Sequence, residues 1–129
     1  MIKPDCKVLV VDQMATSRHA ICQRLREMGF IEIDQVHNDS QALELIQGGR
    51  YGLVLSEWEL SALTGLELLK AVRADPQTRN LPFVLMTDQV QVDKVIAARQ
   101  AGVSGYLVKP FSIQVLKQKL TGVFDGRMP

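Results

Sequence analysis

Four short apolar runs in this chain each end on a polar side chain capable of chemistry. Val8 to Val11 leads to Asp12, Leu53 to Leu55 to Ser56 and Glu57, Phe83 to Met86 to Thr87, and Tyr106 to Val108 to Lys109. Runs of this length, with helical patterns between them, read as buried strands of a parallel sheet. Ligands of such sheets sit beyond the carboxyl ends of the strands. Two carboxylates, a hydroxyl and an amine are therefore aimed at one crevice. An ammonium beside a carboxylate favours its charged form, so Lys109 reads as the counterion of Glu57. Plainer roles stand beside these: Asp12 and Thr87 as helix caps, Tyr106 as a packing residue on a half-exposed strand, and Trp58 as a rim aromatic.

The elements that must position these groups follow in order. Lys7 to Asp12 is strand one, and Ala15 to Met28 is a helix closed by Gly29, with Ile21, Leu25 and Met28 as its inner stripe. Ile31 to Val36 is a weaker, partly alternating strand. Asp39 or Ser40 caps the next helix, whose Ala42, Leu45 and Ile46 face inward and which Gly48-Gly49 ends. Strand three covers Leu53 to Ser56, then a loop runs from Trp58 to Thr64. A helix from Gly65 to Ala74 keeps Leu66 and Leu69 inside and stops at Asp75-Pro76. Leu81-Pro82 leads into strand four, and Val92, Val95 and Ile96 mark a helix running to Gly102. Strand five is Gly105 to Val108. Ile113, Leu116, Leu120 and Phe124 form one stripe on the last helix. Five strands alternating with five helices imply an α/β fold with right-handed crossovers and helices on both sheet faces.

Bulk properties narrow the function classes. At 129 residues, 47% hydrophobic and 22% charged, the chain suits one soluble globular domain. A net charge of +1 provides no basic field for nucleic acid. No apolar stretch approaches the roughly 18 residues that span a bilayer, and Met1 to Asp5 leaves no room for a signal peptide. A cytoplasmic setting is expected, with no membrane partner. Cys6 and Cys22 lack C-x-x-C spacing and read as free thiols. His19 and His37 lack ligand companions and read as surface residues.

Asp12, the acid at 57, Thr87 and the Lys109-Pro110 pair, in that order and spacing, resemble a response-regulator receiver domain. Gln100 to Phe111 (QAGVSGYLVKPF) is especially similar to the single-domain chemotaxis regulators of the CheY type, and Glu57-Trp58 followed by Gly65-Leu-Glu-Leu-Leu69 adds to the likeness. The resemblance covers residues 5–124, leaving 125–129 as a terminal tail or the start of a linker. It implies a flavodoxin-like (βα)5 three-layer sandwich with parallel strand order 2-1-3-4-5.

In receivers of this family an aspartate ending strand three accepts a phosphoryl group from a histidine kinase. Acids after strand one help to hold Mg²⁺, and the Thr and Lys contact the phosphoryl oxygens. By position, the resemblance assigns Glu57 to the acceptor place and Thr87 and Lys109 to the phosphoryl contacts. It makes Thr87 and Tyr106 the switch pair, and Asp12, Glu57 and Glu59 the candidate metal ligands. Phosphoryl transfer is mostly positioning and charge neutralisation, and Mg²⁺ wants octahedral oxygen ligands.

Departures from the family pattern cluster at this site. Glu57 replaces the acceptor aspartate, Gln13 replaces the second acid after strand one, Glu59 adds an acid at the rim, and Asp88 follows Thr87 where a small residue is usual. The extra methylene of Glu57 advances its oxygens by about 1 Å, a misplacement that can cost about 100-fold in rate when catalysis is positional. It also carries the carboxylate toward Lys109 and Thr87, where a phosphoryl oxygen would sit. Without an acid at Gln13, Mg²⁺ binding is expected to be weak or absent unless Glu59 turns inward.

The reading favoured by these residues is an atypical, non-enzymatic receiver in two-component phosphorelay signalling, with Glu57 imitating or replacing the phosphoaspartate. It would dock a histidine kinase or an output domain on the face of helix four, strand five and helix five, which carries Lys94, Arg99, Lys117 and Lys119. A second reading keeps slow Mg²⁺-dependent phosphorylation. A third, a small flavodoxin-like enzyme, lacks any Walker A or G-x-G-x-x-G loop after strand one.

Overall fold

A computed structural model describes residues 3–126. Its elements are β1 (Val8–Val11), α1 (Ala15–Glu27), β2 (Ile33–Val36), α2 (Asp39–Gly48), β3 (Leu53–Glu57), α3 (Gly65–Ala74), β4 (Phe83–Thr87), α4 (Val92–Gln100), β5 (Gly105–Val108) and α5 (Ile113–Phe124). All strand pairs are parallel and the sheet order is β2-β1-β3-β4-β5. The chain changes direction across the sheet between β1 and β3, the switch point where such sheets open a crevice.

Because successive strand residues point to opposite faces, the apolar runs feed two cores at once. Val8, Val10, Leu53, Leu55, Val84 and Met86 pack with Ile21, Cys22 and Leu25 of α1 and Leu116, Leu120 and Val123 of α5. Leu9, Val11, Val54, Phe83 and Leu85 pack with Ala42 and Ile46 of α2, Leu68, Leu69 and Val72 of α3, and Ala98 of α4. The result is the expected three-layer sandwich. Leu53, Val54 and Leu55 are fully buried, each contributing about 2 kcal/mol through lost apolar exposure.

The starts of α2, α3 and α5 are set by short polar side chains. Asn38, rather than Asp39 or Ser40, caps α2 by accepting from the Gln41 N–H at 2.8 Å. Thr64 and Glu67 form a reciprocal capping box on α3, and Ser112 caps α5. The structure also corrects several inward assignments. Leu45 is exposed and Leu43 takes its place against the core; Leu68 is fully buried where Leu66 is only half-buried. Ile31 lies before β2 and is 84% exposed. Of the residues that mark α4, Val92 and Ile96 are exposed and Val95 is half-buried; Ala98 alone is buried on that helix.

The loop from β3 into α3 closes tightly beneath the crevice. The Gly65 N–H donates to the Trp58 carbonyl at 2.7 Å. A Cβ on Gly65 would stand 2.3 Å from the Glu57 carbonyl oxygen and 2.9 Å from Leu85 Cδ2. Gly122, in α5, has nothing within 4 Å of such a Cβ. Gly65→Ala is therefore expected to destabilise by about 1–3 kcal/mol through overpacking, while Gly122→Ala stabilises by about 0.5–1 kcal/mol through helix entropy. Urea unfolding midpoints of the two variants check this; equal shifts would contradict the close approach.

Candidate functional site

Strand ends gather the side chains as their runs foretell. Asp12 leaves β1, Glu57 ends β3, Thr87 ends β4 and Lys109 follows β5. Asp12, Glu57 and Thr87 are all buried, at 1%, 7% and 1% exposure. The four-carbon stem of Lys109 carries its ammonium back across the sheet to β1 and β3. There Nζ donates to Asp12 Oδ2 at 2.7 Å and to Ser17 Oγ at 2.7 Å, and pairs with Glu57 Oε2.

Asp12 is held on every side. Its Oδ1 accepts from the Met14 N–H at 2.9 Å, which closes the turn before α1; it does not cap that helix, whose N-cap is Met14 with no side-chain cap bond. Its Oδ2 also accepts from the Ser17 hydroxyl at 2.6 Å, and its backbone carbonyl accepts from Arg18 Nη1 at 2.8 Å. Ser17 and Arg18 escaped the sequence reading. The signal that could have found Ser17 is its place one turn into α1, on the side facing the strand-one acid.

Burial raises the pKa of Glu57 above its ordinary 4.5; Lys109 opposes that shift, while Asp12 and Asp88 reinforce it. Burial by itself would lower Lys109, but its bonds to Asp12 and Glu57 outweigh that and hold it above 10.5. One ammonium thus serves two carboxylates in a dry setting.

The remaining expected residues are distributed differently. Thr87 Oγ1 accepts from the Gln89 N–H at 3.2 Å, closing the turn after β4 rather than capping α4. Glu57 reaches Lys109 but makes no hydrogen bond to Thr87 among the described residues. Tyr106 is half-buried, and its hydroxyl lies inside without a hydrogen-bond partner among the described residues; burial raises its pKa. Trp58 is not a rim residue. It is 7% exposed, packed in the core and set edge-on to Tyr106 at 6.5 Å between ring centroids. Asp88 and Gln13 are exposed.

Glu59 turns outward to Lys94 on α4, at 3.3 Å, and the Lys94 ammonium also sits 5.2 Å from the Trp58 ring centroid. Glu59 therefore does not join Asp12 and Glu57, because a cation on the neighbouring helix claims it. A divalent cation needs several converging oxygens. Here Lys109 already lies between the two carboxylates that would anchor one. Among the described residues no three His, Cys, Asp or Glu side chains converge. This donor set does not fit Mg²⁺ as arranged.

The sequence profile described as "Response regulator receiver domain" matches residues 8–121. The chain belongs to the response regulator receiver family. The receiver is 39% identical over 119 residues to chemotaxis protein CheY of Pseudomonas aeruginosa, covering 92% of this chain and 96% of that one. The solved structure of chemotaxis protein CheY4 of Vibrio cholerae is similar at TM-score 0.85 and 29% identity, covering 92% of this chain and 98% of that one. So is the receiver domain of a sensor histidine kinase from Pseudomonas aeruginosa, solved with a magnesium ion coordinated in its active site cleft. Its TM-score is 0.84 at 25% identity, covering 94% of this chain and 98% of that one. The receiver is thus a CheY-like module of two-component signalling. Receivers of this family act by contact with histidine kinases and output proteins. Among the described residues no helix is long and apolar enough to cross a membrane.

The raised pKa of Glu57 has a pH signature. The unfolded chain releases the proton near 4.5, whereas the folded receiver holds it until its higher value is reached. Stability contributed by the protonated acid is complete below 4.5 and is lost as pH rises through the folded value. Lys109 stays charged throughout this window. Glu57→Gln removes the loss. Its stability relative to the parent should climb as pH rises from 4.5 and then level off, as read from urea midpoints against pH. A falling difference would contradict the assigned shift.

Proposed function

We propose that this receiver signals without a phosphorylation cycle, with Glu57 standing in the place of the phosphoaspartate. The observation that carries this reading is the Lys109 ammonium held between Asp12 Oδ2, at 2.7 Å, and Glu57. In a receiver that cycles, that lysine must be available to an incoming phosphoryl oxygen; here an acid of the chain itself engages it. The imitation is partial, since a carboxylate bears one negative charge and a phosphoryl group nearly two.

The setting of the site favours the same reading. The same ammonium takes the position a divalent cation would need, so the module works without Mg²⁺. Exposed Asp88 adds negative potential at the mouth, which repels an anionic phosphodonor over the Debye length of about 8–10 Å.

The docking surface in this reading is the face of α4, β5 and α5. A groove of about 320 Å³ lies there, lined by Val95, Val103, Val108 and Val115 with Arg99 and Lys119 at its edge. The partner is a histidine kinase or an output protein of the same signalling class. The module does no catalysis of its own. A cytoplasmic setting goes with its two unpaired cysteines, Cys6 and Cys22.

Intact-mass measurement after incubation with acetyl phosphate and Mg²⁺ tests the proposal. The parent chain should gain no phosphoryl mass at Glu57. Its single tryptophan, Trp58, adjoins the site and should show little fluorescence response to Mg²⁺. Glu57→Asp with Gln13→Asp should restore both responses. Stoichiometric modification of Glu57 in the parent would overturn the reading in favour of slow phosphotransfer.

A further inference from the structure

A lysine ammonium has three N–H donors. In this receiver the ammonium donates to Asp12 Oδ2 and Ser17 Oγ, both at 2.7 Å, and ion-pairs with Glu57 Oε2. Two of the three are carboxylates that the sheet delivers. The third comes from α1, where Ser17 lies half-buried with its own hydroxyl proton directed to Asp12 Oδ2 at 2.6 Å.

Ser17 therefore closes a three-membered ring of contacts with Asp12 and Lys109. Its oxygen accepts from the ammonium while its proton goes to the carboxylate that the ammonium also holds. The ring ties Lys109 to β1 and α1, while the Thr87 hydroxyl accepts from the Gln89 N–H. Without the serine oxygen, one N–H would be left to water or to an incoming anion.

We infer that Ser17 is a positioning residue that saturates Lys109 and so withholds it from a phosphoryl group, independently of the acid at 57. The inference deepens the non-cycling reading and rests on it for its significance, while the contact itself can be tested alone. It makes the block two-part. Shortening Glu57 opens space at the acceptor, and removing the Ser17 hydroxyl releases a donor to fill that space.

The first test uses the full chain with Glu57 in place. Solvent exchange of the Lys109 ammonium protons, followed by NMR on ¹⁵N-lysine-labelled protein, should accelerate roughly threefold to tenfold in Ser17→Ala, the scale of one lost hydrogen bond. Ser17→Thr keeps the hydroxyl and should restore the slow exchange. Unchanged exchange in Ser17→Ala, or failure of threonine to restore it, overturns the inference.

The second test places Ser17→Ala in the Glu57→Asp, Gln13→Asp background and measures phosphoryl uptake from phosphoramidate by intact mass. Uptake should be several-fold faster than in the background alone. Equal rates, despite faster ammonium exchange, would overturn the withholding role. A background silent with or without Ser17 overturns the assignment of the block to positions 57, 13 and 17, and the exchange measurement still decides the contact.

Discussion

An ammonium group shared between two buried carboxylates organises the carboxyl-terminal end of this sheet. The lysine that supplies it follows β5, while its acceptors leave β1 and end β3, so its stem must pass back over the end of β4. That reach exists only because the parallel order β2-β1-β3-β4-β5 brings all four strand ends to one edge. The energetics are those of charges in a dry place. An isolated carboxylate at Asp12 or Glu57 would carry a heavy desolvation penalty. Shared neutralisation by Lys109, supported by Ser17 and the Met14 N–H, makes the pair tolerable. The arrangement specifies side-chain positions more than it adds stability, because a buried ion pair seldom outperforms well-packed apolar groups.

The loop between β3 and α3 extends this constraint outward. It begins at Trp58, whose indole is buried beside Tyr106, and continues to Glu59, which Lys94 holds from α4. On its far side, Asp39 at the start of α2 accepts from the Leu63 N–H at 2.7 Å and, more weakly, from the Ala62 N–H and the Ser61 hydroxyl, both at 3.4 Å. Burial raises the pKa of Asp39, yet these donated hydrogen bonds outweigh it, and the carboxyl lies below its usual range. Helices on either side thus grip the segment leading from the acid at 57.

Much of this was legible in the residues because the hydrophobic runs end where the chemistry begins. Strands three and four lie within a residue of their expected limits, since continuous burial on both faces leaves no polar position to blur them; strand five, half-exposed on one face, is bounded instead by Gly105 and Lys109-Pro110. Glu57 and Lys109 could be paired because the acid and the lysine end separate strands of one sheet. What escaped depended on side-chain direction. Ser17 continues the Ile21 and Leu25 stripe one turn back, yet a lone serine there gives no sign of which groups its hydroxyl will meet. Trp58 looked like a rim residue because it adjoins a loop, yet its ring folds back onto the core. Glu59 drew a metal-binding expectation from its charge, and a lysine distant in sequence claimed it. Leu45 and Leu66 sit at positions one step off the buried stripe, where a leucine is as acceptable half-exposed as buried.

Only Ala98 of α4 is buried, while Val92 and Ile96 face solvent and Val90 beside them is 73% exposed. A helix with so little buried surface gains little from packing, and Lys94, paired with Glu59 and set over the Trp58 ring, tethers it to the β3–α3 loop. The free-energy difference between its resting pose and a shifted or tilted one is accordingly small, and modest contact energy from a bound protein suffices to choose among them. The outer surface of this helix is thus the part of the fold most open to adjustment, and a bound protein can select its pose by fit of shape.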